Sequence, residues 1–161
     1  IYFIAIAVAV GIGAGTALAA EMDNLDYKTF VLVGDGECDE GSIWESAMFA
    51  AQREISNLYV IVDRNRQSVT EHISEEDEVA SLEEKFTGCG WKTVTINGHN
   101  FSELLEAFNT DCSTPVAIIA DTIKGKGVSF MEAGIKWHHS VPSQEQYEQA
   151  ISELTKDLDN E

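Results

Sequence analysis

Residues 30–65 read FVLVGDGECDEGSIWESAMFAAQREISNLYVIVDRN, and the order of residue types in this stretch decides the fold. Phe30-Val31-Leu32-Val33 is a short, β-branched apolar run that stops at Gly34, the pattern of a buried strand. Ile43, Ala47, Ala50 and Ala51 then recur at helical spacing over 41–54. Leu58-Tyr59-Val60-Ile61-Val62 is a second buried strand, after which polarity returns. A strand, a helix and a strand, with both strands continuously apolar, predict a parallel pair covered on both faces. A right-handed crossover puts the two strand ends on the same edge of the sheet.

Further along, the same alternation continues. A helix is predicted near 77–87, stopped by Gly88 and Gly90. Trp91 to Ile96 reads as a third strand, and Asn100 can cap a helix over 101–109. Val116-Ala117-Ile118-Ile119-Ala120 is a fourth strand after Pro115. Ser143 and Gln146 form a capping box for a last helix running to about 156. The fold class is therefore α/β, a parallel sheet with helices on both faces, in one domain over residues 1–161. A chain of this length buries a real core.

The uncharged stretch Ile1–Ala20 is long enough to span a bilayer. It lacks a basic flank, is followed by Glu21, Asp23 and Asp26, and carries Gly11, Gly13 and Gly15, so a buried core helix is expected instead. Because the first residue is Ile1 and not Met, the chain reads as a piece of a longer product. Cys38, Cys89 and Cys112 form no C-x-x-C pair and are odd in number, as expected for free thiols in the reducing cytoplasm.

Acids outnumber bases 28 to 10, a formal charge of −18. Such a balance repels nucleic acid and anionic membrane surfaces, which argues against both as partners. It repels phosphates too, so any phosphate site here needs a local cation.

Ligands of open parallel sheets bind beyond the carboxyl ends of the strands, and two such ends are chemically loaded. One reads Gly34-Asp35-Gly36-Glu37-Cys38-Asp39-Glu40-Gly41; the other reads Asp63-Arg64-Asn65-Arg66-Gln67. Magnesium takes six hard oxygens, few of them from protein and the rest from phosphate and water. Asp35 offers a carboxylate, Asn65 an amide oxygen and Gln67 a backbone carbonyl. Gly36 lets backbone N–H groups approach a phosphate, and the following helix N-terminus favours an anion. Alone, a glycine-flanked aspartate is most often a turn, and a loop asparagine most often caps its own backbone. The pairing carries the signal: G-D-G after one strand, D-x-N after the next, and 28 residues between Gly36 and Asn65.

That pairing resembles the fingerprint of thiamine-diphosphate enzymes. The longer text of residues 34–65, with its E-G-x-x-W-E run, resembles transketolases. Lys124-Gly125-Lys126-Gly127 through Ala150 is similar to the small, N-terminal subunits of split transketolases. The resemblance covers roughly residues 13–155. It implies a thiamine-diphosphate-binding domain in which Asp35, Asn65 and the Gln67 carbonyl hold Mg2+ (or Ca2+). Gly34, Asp35, Gly36 and Glu37 would form the turn that meets the cofactor. Glu40 matches an acid at the interface where cofactor sites communicate, and His138 matches a histidine near the diphosphate and the reacting centre. As a titratable ring, His138 can shuttle a proton, although surface histidines are commoner. Lys124 and Lys126 can face phosphates or simply be solvated. His99 is expected to hold a strand-to-helix turn, and Trp44 and Trp91 to pack in the core.

Two positions depart from the family pattern. Ile4-Ala5-Ile6-Ala7-Val8-Ala9 stands where the family has G-S-L-G-x-G, and His139 stands where it has glycine after Trp137-His138. The resemblance also implies a partner chain, the C-terminal pyrimidine-binding subunit, in an assembly with two copies of each. Together they would transfer a two-carbon ketol unit between sugar phosphates, the isolated chain being inactive. The alternative is a remnant or regulatory subunit that keeps the fold and the partner surface without catalysis.

Overall fold

The computed structural model describes residues 8–66, 80–132, 135–138 and 140–158. Its elements in chain order are α1 (Ala9–Met22), β1 (Thr29–Gly34), a 3₁₀ turn (Asp35–Asp39), α2 (Gly41–Gln52) and β2 (Leu58–Arg64). Then come α3 (Leu82–Gly88), β3 (Lys92–Asn97), α4 (Phe101–Phe108), β4 (Val116–Asp121), a second 3₁₀ turn (Ile135–His138) and α5 (Gln144–Leu158). Among the described residues the four strands form one parallel sheet in the order β1-β2-β4-β3. The last strand in the chain thus lies inside the sheet, between β2 and β3.

Side-chain alternation along the strands divides the core into two layers. Val31, Val33, Val60, Val62, Ala117 and Ile119 face α1, α2 and α3, meeting Ala14, Ala17, Ile43, Ala47, Leu82 and Phe86. Tyr59, Val116, Ile118 and Ala120 face the other way, with Ile96 and the α4 residues Leu104, Ala107 and Phe108. Each fully buried Val, Ile or Phe contributes about 1.5–3 kcal/mol by leaving water, and β2 and β4 supply Val60, Val62, Val116, Ile118 and Ile119.

The expected elements are present, with two differences. The helix expected from about residue 77 begins at Leu82, because Ser81 caps it: its hydroxyl accepts the Glu84 N–H at 3.2 Å, and the Glu84 carboxylate accepts the Ser81 N–H at 2.9 Å. Residues 77–79 lie outside the described segments. Secondly, β1 is fully covered on one face and only partly on the other, where Phe30 meets Tyr59 and Phe108. Val31 and Val33 are buried, whereas Phe30 is 46% and Leu32 68% exposed, since β1 is the edge strand and α4 packs over the other strands.

The Ile1–Ala20 stretch yields a core helix over its described part. Val10, Gly13, Ala14, Ala17 and Ala20 form the buried face of α1. No helix among the described residues is long and apolar enough to cross a membrane. The Ser143–Gln146 capping box is formed as expected, with bonds of 3.3 and 2.9 Å.

Candidate functional site: the carboxyl edge of the sheet

Where β1 ends, Gly34 hands the chain to the first 3₁₀ turn. The turn is closed from within, since a Glu37 carboxylate oxygen accepts the Gly34 N–H at 3.0 Å. It is held to α2 by Trp44, whose indole N–H donates to the Cys38 carbonyl at 2.7 Å. Trp44 therefore packs on Phe86 as the sequence suggested and, in addition, anchors the turn. Cys38 is buried beneath it, and burial pushes its thiol up to about 12, reinforced by the carboxylates of Asp35, Glu37 and Asp39. This thiol is a packing group and not a nucleophile.

Asp35 opens the turn and is the one buried charged residue among the described ones, 8% exposed. One carboxylate oxygen accepts the Gly36 N–H at 2.8 Å, and the other accepts the Arg66 N–H at 2.6 Å. The second bond joins the turn after β1 to the turn after β2, across strands whose register pairs Gly34 with Asp63. Burial raises the Asp35 pKa. The two backbone donors and Lys124 pull it down, while Asp63 pushes it further up, and the net effect is upward. Asp35 is thus a buried carboxylate whose amide donors and Lys124 do not fully offset the cost of burial.

The β2 end is fixed from the β4 side. The Thr122 N–H donates to the Arg64 carbonyl at 3.0 Å, and the Thr122 hydroxyl donates to the Asp63 carboxylate. Arg64 turns away from Asp35. Its Nε and Nη2 fork onto the Asp121 carboxylate at 2.6 and 2.9 Å, and Nη1 reaches Glu83 at 2.8 Å. The hydrogen bonds and charge of Arg64 lower the Asp121 pKa. At Glu83, burial pushes the pKa up, but hydrogen bonds from Thr95 and the backbone, together with Arg64, bring it below the usual value. Asn65, half-buried, follows directly. Arg66 adopts φ 57°, the left-handed region.

The geometry therefore brings together Asp35, Gly36 and the Asn65–Arg66 backbone, with Asp63 and Lys124 close enough to act on the Asp35 charge. Glu40 lies apart as the exposed residue capping α2. Gln67 lies outside the described residues. The backbone of His138 ends the second 3₁₀ turn, and its side chain is outside the description. Lys126 is 3.8 Å from Glu132. His99 holds a turn, as expected: its N–H donates to the Asn97 side chain, and its Nε2 accepts the Ile123 N–H at 2.8 Å.

Thr122 was not singled out in the sequence, and Asp63 and Arg64 entered it only as part of the loaded strand end, with no role of their own. The signal that would have found them is the placement of β4 beside β2, which periodicity does not carry.

These residues fit a magnesium diphosphate in chemical kind. Asp35 and Asn65 are hard oxygen donors, and burial outweighs the backbone donors and Lys124 in setting the Asp35 pKa. Among the described residues no three His, Cys, Asp or Glu side chains converge as a metal cluster. A shell completed by an amide, a backbone carbonyl and phosphate oxygens does not require one.

A family model described as the transketolase, thiamine diphosphate binding domain matches residues 3–158. The chain is 42% identical over 146 residues to an apulose-4-phosphate transketolase subunit of Phocaeicola vulgatus, covering 89% of this chain and 52% of that protein. It is 37% identical over 144 residues to a 6-deoxy-6-sulfo-D-fructose transketolase subunit of a Clostridium species, covering 88% and 52%. The chain thus spans about half the length of these curated relatives. Among solved structures, a transketolase from Campylobacter jejuni superposes with a TM-score of 0.75 at 28% identity, over 90% of this chain and 24% of that one. With a strand edge that fits the diphosphate end of the cofactor and a match over nearly its whole length, the chain belongs to the thiamine-diphosphate-binding domain family of transketolases.

Proposed function

We propose that this chain supplies the diphosphate-and-metal half of a thiamine-diphosphate site in a two-chain transketolase. The observation that carries the reading is the Asp35 carboxylate, buried and bonded at 2.6 Å to the Arg66 N–H of the neighbouring strand end. That bond holds the Asn65–Arg66 backbone against Asp35, and in this reading the Asn65 amide oxygen joins the Asp35 carboxylate on a Mg2+ ion that meets the diphosphate. A divalent cation there offsets the buried carboxylate and supplies local positive charge for a phosphate in a chain of net charge −18. In this reading Asp35, Asn65 and the Gln67 carbonyl hold Mg2+ (or Ca2+), and the Gly36 backbone approaches the diphosphate.

When bound, thiamine diphosphate supplies the carbanion chemistry of ketol transfer, and the protein supplies binding, orientation and proton transfer. Glu40 contributes an exposed acid to the interface with the other copy, and His138 takes the proton-shuttle role. A C-terminal, pyrimidine-binding subunit completes the site, with two copies of each chain in the assembly. The reaction moves a two-carbon unit from a ketose phosphate to an aldose phosphate, in the cytoplasm. The support for the two-chain reading is that the Phocaeicola and Clostridium relatives are named as transketolase subunits.

The test is calorimetric titration of thiamine diphosphate with Mg2+ into the chain, first alone and then with a transketolase C-terminal subunit. Binding should appear or tighten with the subunit, and Asp35→Ala should abolish it while the protein stays folded. Unchanged affinity in Asp35→Ala refutes the assignment. The run Ile4-Ala5-Ile6-Ala7-Val8-Ala9 in place of a glycine-rich segment favours a second reading, a non-catalytic subunit. It predicts complex formation with the partner but no turnover.

A further inference from the structure

We propose that Arg64 is a positioning residue whose forked ion pair holds the turn bearing Asn65 and the Arg66 amide against Asp35. The inference rests on the functional reading above, because what is positioned is that site's second oxygen donor.

Three observations carry it. First, Arg64 is the last residue of β2, and its guanidinium binds two different elements. The fork onto Asp121 ties β2 to the end of β4, and the bond to Glu83 ties it to the first turn of α3. Glu83 is itself fixed by the Thr95 hydroxyl of β3 at 2.8 Å. One side chain, 14% exposed, thereby joins β2, β4, α3 and β3 at the site edge. A fork of this kind is planar and two-pointed, so it sets orientation as well as distance.

Secondly, the backbone immediately downstream is strained. Arg66 sits at φ 57°, a conformation that a side-chain-bearing residue adopts only when its surroundings impose it. Its N–H must point at Asp35 for the 2.6 Å bond to form. The restraint comes from the Asp35 bond on one side and from Arg64 on the other.

Thirdly, the Thr122 N–H bonds the Arg64 carbonyl and the Thr122 hydroxyl bonds Asp63. The residues before Asn65 are thus tied to β4 through backbone and side chain alike. Asn65 inherits its position from this frame, in the way that outer residues orient the ligands of a metal site.

The decisive experiment separates positioning from stability. In Arg64→Met/Asp121→Leu the ion pair gives way to apolar side chains, an exchange that leaves many proteins as stable as before. Glu83 keeps its Thr95 bond and its contact with water. Amide hydrogen exchange is followed residue by residue in the free chain, and thiamine diphosphate with Mg2+ is titrated into the chain plus a C-terminal subunit. The expected result is Arg66 amide exchange faster by about tenfold or more, with the β4 amides of Ile118 and Ile119 unchanged. Cofactor affinity should fall by about tenfold to a hundredfold.

Unchanged protection of the Arg66 amide overturns the proposal, whatever the affinity does. If the double variant fails to fold, Arg64→Lys carries the same exchange test, since an ammonium keeps the charge and loses the fork. Wild-type protein that binds no cofactor refutes the functional reading instead, and the exchange comparison still decides whether the clamp exists.

Discussion

Helix α1 contains two glycines, two residues apart, for which the structure predicts opposite responses to the same substitution. A Cβ added at Gly13 would lie 2.3 Å from Val31 Cγ2 and 3.4 Å from Leu58 Cδ1, whereas one at Gly15 meets nothing within 4 Å. Replacing an interior helical glycine by alanine contributes about 1 kcal/mol through backbone entropy and propensity. Gly15→Ala should therefore stabilise by roughly that amount. At Gly13 the same gain is opposed by overpacking, which costs about 1–3 kcal/mol in a well-packed core. A 2.3 Å contact is more than an ångström inside the normal carbon–carbon approach of about 3.5 Å, so the upper end of the range applies. Gly13→Ala should then be destabilised by about 2 kcal/mol net, and the two variants should differ by about 3 kcal/mol, or roughly 6–12 °C in Tm.

Urea unfolding monitored by the fluorescence of Trp44 and Trp91, both in contact with the same core, measures the gap directly. Trimming the obstacle supplies the internal control. Val31→Ala in the Gly13→Ala background should recover part of the loss, with a favourable coupling of about 1 kcal/mol or more in the double-mutant cycle. Equal stability of the two alanine variants, or zero coupling to Val31, would refute the reasoning that α1 meets β1 through Gly13.

Other expectations follow from charges and caps. Burial holds the Asp35 pKa above the ordinary carboxylate value, so its charge weakens the apoprotein above that folded pKa. The penalty is relieved as pH falls through it, while Mg2+ binding requires the ionised form. Cofactor titrations in two buffers of different ionisation heat should accordingly show proton release that grows as pH is lowered towards the folded pKa of Asp35. Among the thiols, Thr114 hydrogen bonds lower the Cys112 pKa, whereas Cys38 is pushed up to about 12. Iodoacetamide with peptide mapping should label Cys112 first and Cys38 only on unfolding. Asn100 accepts the Ser102 and Glu103 N–H groups at 3.0 and 3.4 Å, so Asn100→Ala should cost about 1 kcal/mol in a thermal melt.

The strands and the site edge were legible in the sequence because Val, Ile and Leu runs that stop at Gly34 and Asp63 leave little choice of element. Asp35 and Asn65 were legible because their strands are consecutive, and a βαβ unit fixes their side of the sheet. Arg64 was not, since its partners Glu83 and Asp121 lie 19 and 57 residues away. Their meeting depends on strand order, on which hydrophobic periodicity is silent. The exposure of Leu32 was hidden for a related reason: an apolar run does not announce whether it will be an edge. The start of α3 is set at Leu82 by the local capping box at Ser81–Glu84, which the stop signals at Gly88 and Gly90 do not locate.

The inward position of β4 has a consequence for how the domain is made. All the donors assigned to the metal lie at or before residue 67, yet the edge of β2 that meets β4 stays unpaired until Val116–Asp121 has been made. Until then Val60 and Val62 belong to an open strand edge of the kind that recruits other chains. Closure waits on a pairing that spans more than fifty residues of intervening sequence, the slow, non-local kind of contact. A ribosome stalled near residue 110 would hold every assigned metal ligand and an aggregation-prone half-sheet. Chaperone demand, and not ligand chemistry, would then set the yield of functional protein.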